Sequence, residues 1–324
     1  MKRIITPVER EVLRSELTEK CFLRDTNRAG NKIYIVDYES APNVVREVGR
    51  LREIAFREGG GGTGLSLDLD KFDTDPAFGY KQLVVWDPEA EAIVGGYRYA
   101  LCRDALFTYD GQPVLTSSHM FQFSRKFLRR DFLETLELGR SFVSVDYQST
   151  KIGAKSLYAL DNLFDGLGAI MRLYNKRYGI RYMFGKMTIY PEYPEEARNM
   201  ILYFLNKHFG ARGESLIIPR NPVKLHYSPK YRLLFHHSSF EEDYKILKAE
   251  VHKYGVNIPP LVNSYMNLSP SMKIFGTGIN DEFADVYDTG LLIDFEDLRP
   301  EKASRHVKFK DNKTFTSILR RFRK

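Results

Sequence analysis

The stretch that most restricts the fold lies between residues 132 and 189. Phe132–Val145 contains a strand-like run, Glu137-Leu138-Gly139-Arg140-Ser141-Phe142-Val143. Ser156–Lys176 then places Leu157, Leu160, Phe164, Leu167, Met171 and Tyr174 three or four residues apart, which is the spacing of a helix with one apolar face. Arg181–Ile189 reads as strand again. Strand, polar loop, amphipathic helix and strand in this order call for a sheet with a helix packed on it. Upstream, Tyr80–Trp86 and Ala92–Ala100 are β-rich arms joined by the turn Asp87-Pro88-Glu89. Ala41–Glu58 has helical spacing, with Asn43 as its expected N-cap. Downstream, Glu195–His208 reads as a helix stopped by Gly210 as C′ glycine, and Arg232–His236 as one more strand. After His237 the character changes. Glu241–Tyr254 looks helical, Gly255–Pro270 turn-rich, and Gly290–Phe295 is a short apolar run. The expected organisation is an N-terminal segment (1–40), an α/β (α+β) sheet domain (41–237) and a C-terminal subdomain with a basic tail (238–324).

Composition narrows the functional classes. With 43% hydrophobic and 28% charged residues in a chain of 324, a buried core is available and pervasive disorder is excluded. The two cysteines, Cys21 and Cys102, supply neither a disulfide framework nor a zinc ribbon, which suits a reducing, cytoplasmic setting. No run approaches the roughly 18 apolar residues of a membrane span. Met1–Lys20 is charged throughout and is not read as a signal peptide. A net charge of +7 suits an acidic partner: nucleic acid, an anionic membrane or an acidic protein. Nucleic acid is not expected, since no binding motif for it is present. The basic excess concentrates in Arg305–Lys324, whose one acid is Asp311. That tail reads either as a solvated segment or as an interfacial one on anionic lipid.

Several motifs fail on context. Gly59, Gly61 and Gly64 satisfy G-x-G-x-x-G but follow a helix instead of a strand, so a mobile loop is expected. Asp68, Asp70, Asp73 and Asp75 do not form an EF-hand, because its positions 5, 6 and 12 hold Phe72, Asp73 and Gly79. Acids so close together need cationic partners. His237 has Glu242, not Asp, five residues on, a near miss for a His-x4-Asp acyltransferase pair.

Glu137 carries the chemical signal. A carboxylate in the middle of an apolar strand is costly unless paired or functional. Strict alternation puts Glu137, Gly139, Ser141 and Val143 on one face and Leu138, Arg140 and Phe142 on the other. Glu137 is either bonded to an arginine such as Arg98 or available for chemistry. The loop after it, Gln148-Ser149-Thr150-Lys151-Ile152-Gly153-Ala154-Lys155, opens a helix whose unpaired N–H groups and dipole suit a phosphate, helped by Lys151 and Lys155.

The strand, loop and helix resemble the acyl-donor core of the GNAT N-acyltransferases, with Gln148 and Gly153-Ala154 as a stretched form of their donor loop. Arg52-x-x-x-Phe56, Asp68-x-Asp70-x-x-Asp73, Gly96-x-Arg98 and Glu137-x-x-Arg140 are similar, in order, to acyl-homoserine lactone synthases and their hemolysin-like relatives. Those relatives include enzymes that N-acylate ornithine or glycine to give lyso-aminolipids. The runs Glu137–Ser141, Tyr147-Gln148 and Leu268–Thr277 are closest to that aminolipid group. The resemblance implies a GNAT-like mixed twisted sheet flanked by helices, with a C-terminal extension. It implies transfer of a long-chain, 3-hydroxylated or plain, acyl group from an acyl carrier protein or CoA thioester to an amino acid's α-amine. In that reading Glu137 is the base, and Arg98 and Arg140 hold the acceptor's carboxylate or the Asp70/Asp73 loop. Arg52, Phe56, Asp70, Asp73 and Ser141 shape the acceptor side. Val143, Gln148, Lys151, Gly153 and Lys155 bind the donor. No metal or resident cofactor is expected; the phosphopantetheine thioester is a co-substrate. Phe184, Met187, Ile170 and Leu167 are candidates for an acyl slot or for plain core. The implied partners are the acidic carrier protein, a small amino acid and an anionic membrane at the basic tail, with the chain cytoplasmic or peripheral on the membrane's inner face. A homoserine-lactone synthase and a non-catalytic basic binding protein are the competing readings.

Overall fold

The computed structural model describes every residue except 149–153, 212, 214, 226, 309–317, 319, 321, 323 and 324, and only the backbone of 154 and 155. Along the chain come α1 (Arg10–Glu16), β1 (Phe22–Asp25), β2 (Lys32–Val36), α2 (Pro42–Glu58), α3 (Lys71–Thr74), β3 (Lys81–Asp87) and β4 (Ala92–Leu101). Then follow β5 (Phe121–Phe123), α4 (Arg125–Arg130), β6 (Thr135–Val143), α5 (Ala154–Tyr178), β7 (Tyr182–Ile189), α6 (Glu195–Phe209) and β8 (Ile217–Pro219). The last are α7 (Pro229–Leu234), α8 (Phe240–His252), α9 (Pro260–Met266), β9 (Lys273–Asn280) and β10 (Val286–Asp294).

Eight strands form one sheet in the order β1-β2-β3-β4-β6-β7-β10-β9, and β5 and β8 form a separate ribbon. Within the large sheet every pairing is antiparallel except β6–β7, which the long α5 connects in parallel. This is the expected mixed sheet flanked by helices. On one face, α5, α6, α8 and α9 pack on Tyr97, Tyr99, Leu138, Met183 and Met187. On the other, α1 and α2 cover Tyr34, Val84, Trp86 and Phe142, and beside them Phe121, Phe123, Phe127 and Phe132 form a third cluster with Phe184.

Several local expectations change. Pro42 occupies the first turn of α2, so Asn43 lies inside the helix and is not the cap. The first-turn N–H groups of Asn43 and Val44 are bonded instead by the Glu16 carboxylate at 3.3 and 2.9 Å, a cap supplied by a different helix. Gly210 ends α6 with φ −57°, not in the left-handed region. Residues 232–236 are not a strand: α7 runs through Leu234, started by Pro229. The turn-rich 255–270 contains α9, opened by Pro260. The glycine loop read as mobile is held down. Glu53, fully buried, accepts from Thr63 N at 3.0 Å, Thr63 Oγ1 at 2.8 Å and Gly64 N at 2.8 Å. His237 pairs with Asp243, six residues on, at 3.1 Å, and Lys207 and His208 share that buried carboxylate. The group ties α6 to α8. At the tail, Arg305 is bonded to Asp161 and His306 to Asp165, while Ile318 is buried in the core. Among the described residues no helix is long and apolar enough to cross a membrane.

Candidate active site

The site exists because β6 departs from regular strand geometry. Gly139 faces Arg98 and Phe142 faces Gly96, so Arg140 and Ser141 together oppose Tyr97 alone. This is a β-bulge, and Arg140 takes φ 52°, a left-handed backbone that non-glycine residues seldom adopt. Gly95 and Gly96 permit the close approach: a Cβ on Gly95 would lie 2.4 Å from the Phe142 carbonyl oxygen. The bulge corrects the face assignment from simple alternation. Leu138 sits in the core under α5 whereas Phe142 sits under α2. Ser141 turns to bond Tyr97, and Arg140 swings to the α2 side, where its Nε meets Asp68 at 3.0 Å.

The second departure is a splay. β6 and β7 pair over Thr135–Tyr182, Leu136–Met183 and Glu137–Phe184, and the pairing stops there. Beyond it the strands enclose a cavity of about 540 Å³. On the α2 side its wall includes Phe56, Gly59, Arg140, Tyr190 and Phe283; on the α5 side it includes Tyr97, Leu138, Ala159, Leu160 and Tyr265. The cavity therefore threads the sheet through the gap. Among the described residues, the backbone of β6 beyond Glu137 has no partner strand on the gap side.

The candidate residues divide into three groups. Phe56, Arg140, Ser141, Val143 and Gln148 line the cavity. Gln148 spends its amide on the Val143 carbonyl at 2.7 Å. Arg52, Asp70, Asp73, Arg98 and Glu137 lie behind the wall, outside the lining. Lys151 and Gly153 lie outside the described residues, as does the side chain of Lys155.

The acidic loop finds its cations. Arg52, fully buried, meets Asp68 at 3.3 Å and Asp73 at 3.0 Å. Arg98 meets Asp70 at 2.8 Å and Asp73 at 2.7 Å, and Arg140 closes the set on Asp68. Three guanidiniums thus balance three carboxylates. Asp70 caps α3 and Asp73 returns the bond, a reciprocal capping box. Burial pushes the Asp73 carboxyl up, but Arg52 and Arg98 overcome it and hold it at about 2. Of the two roles open to Arg98, the geometry shows the loop-holding one.

Glu137 is not paired with Arg98. Its carboxylate, fully buried, accepts from Thr116 Oγ1 at 3.1 Å, from Ser117 N at 2.9 Å and from the Tyr80 hydroxyl. Tyr80 in turn accepts from Thr116 N at 2.9 Å. Burial, and then the charge of Glu137, pushes the Tyr80 phenol far above its ordinary range, so it stays a donor. The carboxylate is thus oriented just where β6 leaves β7.

The slot candidates Phe184, Met187, Ile170 and Leu167 are packed core and do not line the cavity. The apolar wall is built instead from Tyr97, Leu138, Leu160, Leu261 and Tyr265, which periodicity could not single out from other core positions. Sequence reading also missed Lys186, Thr188 and Asp288 on the wall. A signal was available: Lys186 and Asp288 are charges in the middle of apolar strands, the same anomaly that marked Glu137.

The chain is similar to known proteins in three ways. The acetyltransferase (GNAT) domain family matches residues 51–157. A glycine N(alpha)-acyltransferase of Bacteroides thetaiotaomicron is 54% identical over 308 residues, covering 95% of this chain and 90% of the relative. A glycine N(alpha)-acyltransferase of Phocaeicola vulgatus is 52% identical over 310 residues, covering 95% and 93%. Among solved structures, a CoA-dependent acyl-homoserine lactone synthase aligns with TM-score 0.37 and 11% identity over 89% of this chain and 99% of that one.

Proposed function

The chain belongs to the GNAT-fold N-acyltransferases, in one family with those two relatives, and from that premise we propose that it acylates the α-amine of glycine with a long-chain fatty acyl group, giving a lyso-aminolipid. The donor is an acyl-thioester on the phosphopantetheine of acyl carrier protein or CoA. The observation that carries this reading is the cavity through the β6–β7 gap. Its lining comes from both faces of the sheet, Phe56 and Phe283 on the α2 side and Tyr97, Leu138 and Tyr265 on the apolar α5 side. The names of the relatives support glycine as acceptor.

The reaction needs a neutral amine beside a thioester. Glu137 takes the ammonium proton through a water at the end of the paired segment. The amine nitrogen attacks the acyl carbonyl, a C–N bond forms, and an unpartnered β6 backbone N–H in the gap stabilises the oxyanion. The C–S bond breaks as the nitrogen's surplus proton passes to the departing sulfur, so that the amide and a free thiol are released. Phe56 shapes the acceptor side; Ser141, Val143 and Gln148 flank the donor. The chain works in the cytoplasm, and its basic tail meets an anionic membrane that receives the product.

The test mixes the protein with 3-hydroxypalmitoyl carrier protein, the twenty amino acids and ornithine, following free thiol and N-acyl products together. One dominant product, N-acylglycine, is expected. Absence of thiol release with any acceptor, from carrier protein or CoA, overturns the reading. The wall makes a second prediction. Leu160→Trp fills the α5 side and shifts donor preference from long to short acyl chains, by roughly tenfold in kcat/KM ratio, since a few buried methylenes carry that much discrimination. An unchanged chain-length profile would place the acyl chain elsewhere.

A further inference from the structure

Among the described residues four charged side chains line the cavity, Glu58, Arg140, Lys186 and Asp288, and the reaction described above gives none of them a task. Lys186 stands in the middle of β7, and its side chain, 18% exposed, lines the wall. Met183, Met187 and Ile189 point into the core under α5, so alternation turns Lys186 and Thr188 to the face that carries Glu137, Arg98 and α2. Asp288, directly across from Thr188 on β10, is fully buried. It accepts from Thr188 Oγ1 at 2.6 Å, from Asn280 Nδ2 at 2.8 Å and from Lys186 Nζ at 2.8 Å. Burial pushes the Asp288 carboxyl up, but Lys186, Thr188 and Asn280 hold it below the usual carboxylate range. It is therefore a fixed anion, unsuited to be a base.

An ammonium has three donors, and Asp288 takes one. No other acceptor meets Lys186 among the described residues. The other cation described on the wall, Arg140, is engaged by Asp68 and lies over the Phe283 ring at 4.8 Å. Arg52 and Arg98 are behind the wall, matched to the three aspartates. Lys186 thus brings spare donors and a charge seated from behind to a mostly apolar chamber. A thioester and a fatty chain present no anion there. The acceptor does.

We propose that Lys186, seated by Asp288, binds the carboxylate of the acceptor amino acid and selects amino acids over simple amines. This rests on the reaction assigned above. Asp288 is then a positioning residue: it orients Lys186 and touches no substrate.

The test is steady-state kinetics with glycine and with glycinamide, which lacks the carboxylate. Lys186→Met is expected to raise the glycine KM roughly ten- to a hundredfold, the worth of one charged hydrogen bond. It leaves kcat within a few-fold and the donor KM unchanged, and the preference for glycine over glycinamide collapses. Lys186→Arg retains much of that preference. Because Lys186→Met strands a buried carboxylate, the double variant Lys186→Met/Asp288→Asn, which removes both charges, is measured beside it and gives the same loss. A wild-type glycine KM and preference in both variants overturns the proposal. If the unaltered protein acylates no amino acid, the assigned reaction falls and this proposal with it, an outcome distinct from a working enzyme indifferent to Lys186.

Discussion

Glu137→Gln lowers turnover by roughly 10²- to 10⁴-fold, the usual worth of a positioned general base. The variant still folds. The carboxylate receives three donors, from Tyr80, Thr116 and Ser117. An amide can satisfy fewer of them, so the cost is about 1–3 kcal/mol of stability. The control is Tyr80→Phe, which deletes one of the same hydrogen bonds and keeps the carboxylate. It loses similar stability and little of the rate. A base has a second signature. With Glu137 gone, the enzyme depends on amine that is already neutral, so its rate climbs about tenfold per pH unit below the amine's pKa and the deficit shrinks at high pH. Equal rates in Glu137→Gln and Tyr80→Phe, with parallel pH profiles, would reduce Glu137 to a structural anchor of the Thr116–Ser117 turn.

Arg52→Met is expected to cost about 3–5 kcal/mol in denaturant unfolding, the largest stability effect in the molecule's site. Arg52 is wholly inside, and removing it leaves Asp68 and Asp73 with less compensating charge where water cannot reach them. Asp70→Asn is the contrasting change. Its side chain is 38% exposed, and the loss stays near 1 kcal/mol. The same network predicts a pH dependence. The folded Asp73 carboxyl is held at about 2 against an ordinary 3.8, so the unfolded chain binds its proton first as pH falls. Its contribution is complete above the ordinary value and is lost as pH drops through about 2. Asp73→Asn flattens that part of the stability profile. An Arg52→Met protein as stable as the parent would mean that the loop carries its charges without the buried guanidinium.

Alternation and helical spacing located the hairpin β3–β4, the strands β6 and β7 and the helix α5 to within a few residues. They did so because each has one apolar face against a core, and burial of that face is written in the period. The same logic marked Glu137 and required cations for the acid loop. Local signals misled where a neighbour in space outcompeted them. Asn43 is a good capping residue, but Glu16 from α1 was already at the helix end. Arg232–His236 has strand-like composition, but Pro229 starts a helix there and Tyr231 anchors it in the core.

The site itself shows the division most clearly. From the sequence alone came the residues able to do the chemistry: a lone Glu in an apolar strand, arginines enough for the aspartates, and a polar loop before a long helix. The tertiary structure alone decided their places. The bulge at Arg140 reversed the faces of β6, and the end of β6–β7 pairing opened the cavity. The arrival of β9 and β10 beside β7 then brought Asn280 and Asp288 to Lys186 from about a hundred residues away. Those outcomes depend on which strand edges meet and where pairing stops, and no period along the chain encodes a partner that is distant in it.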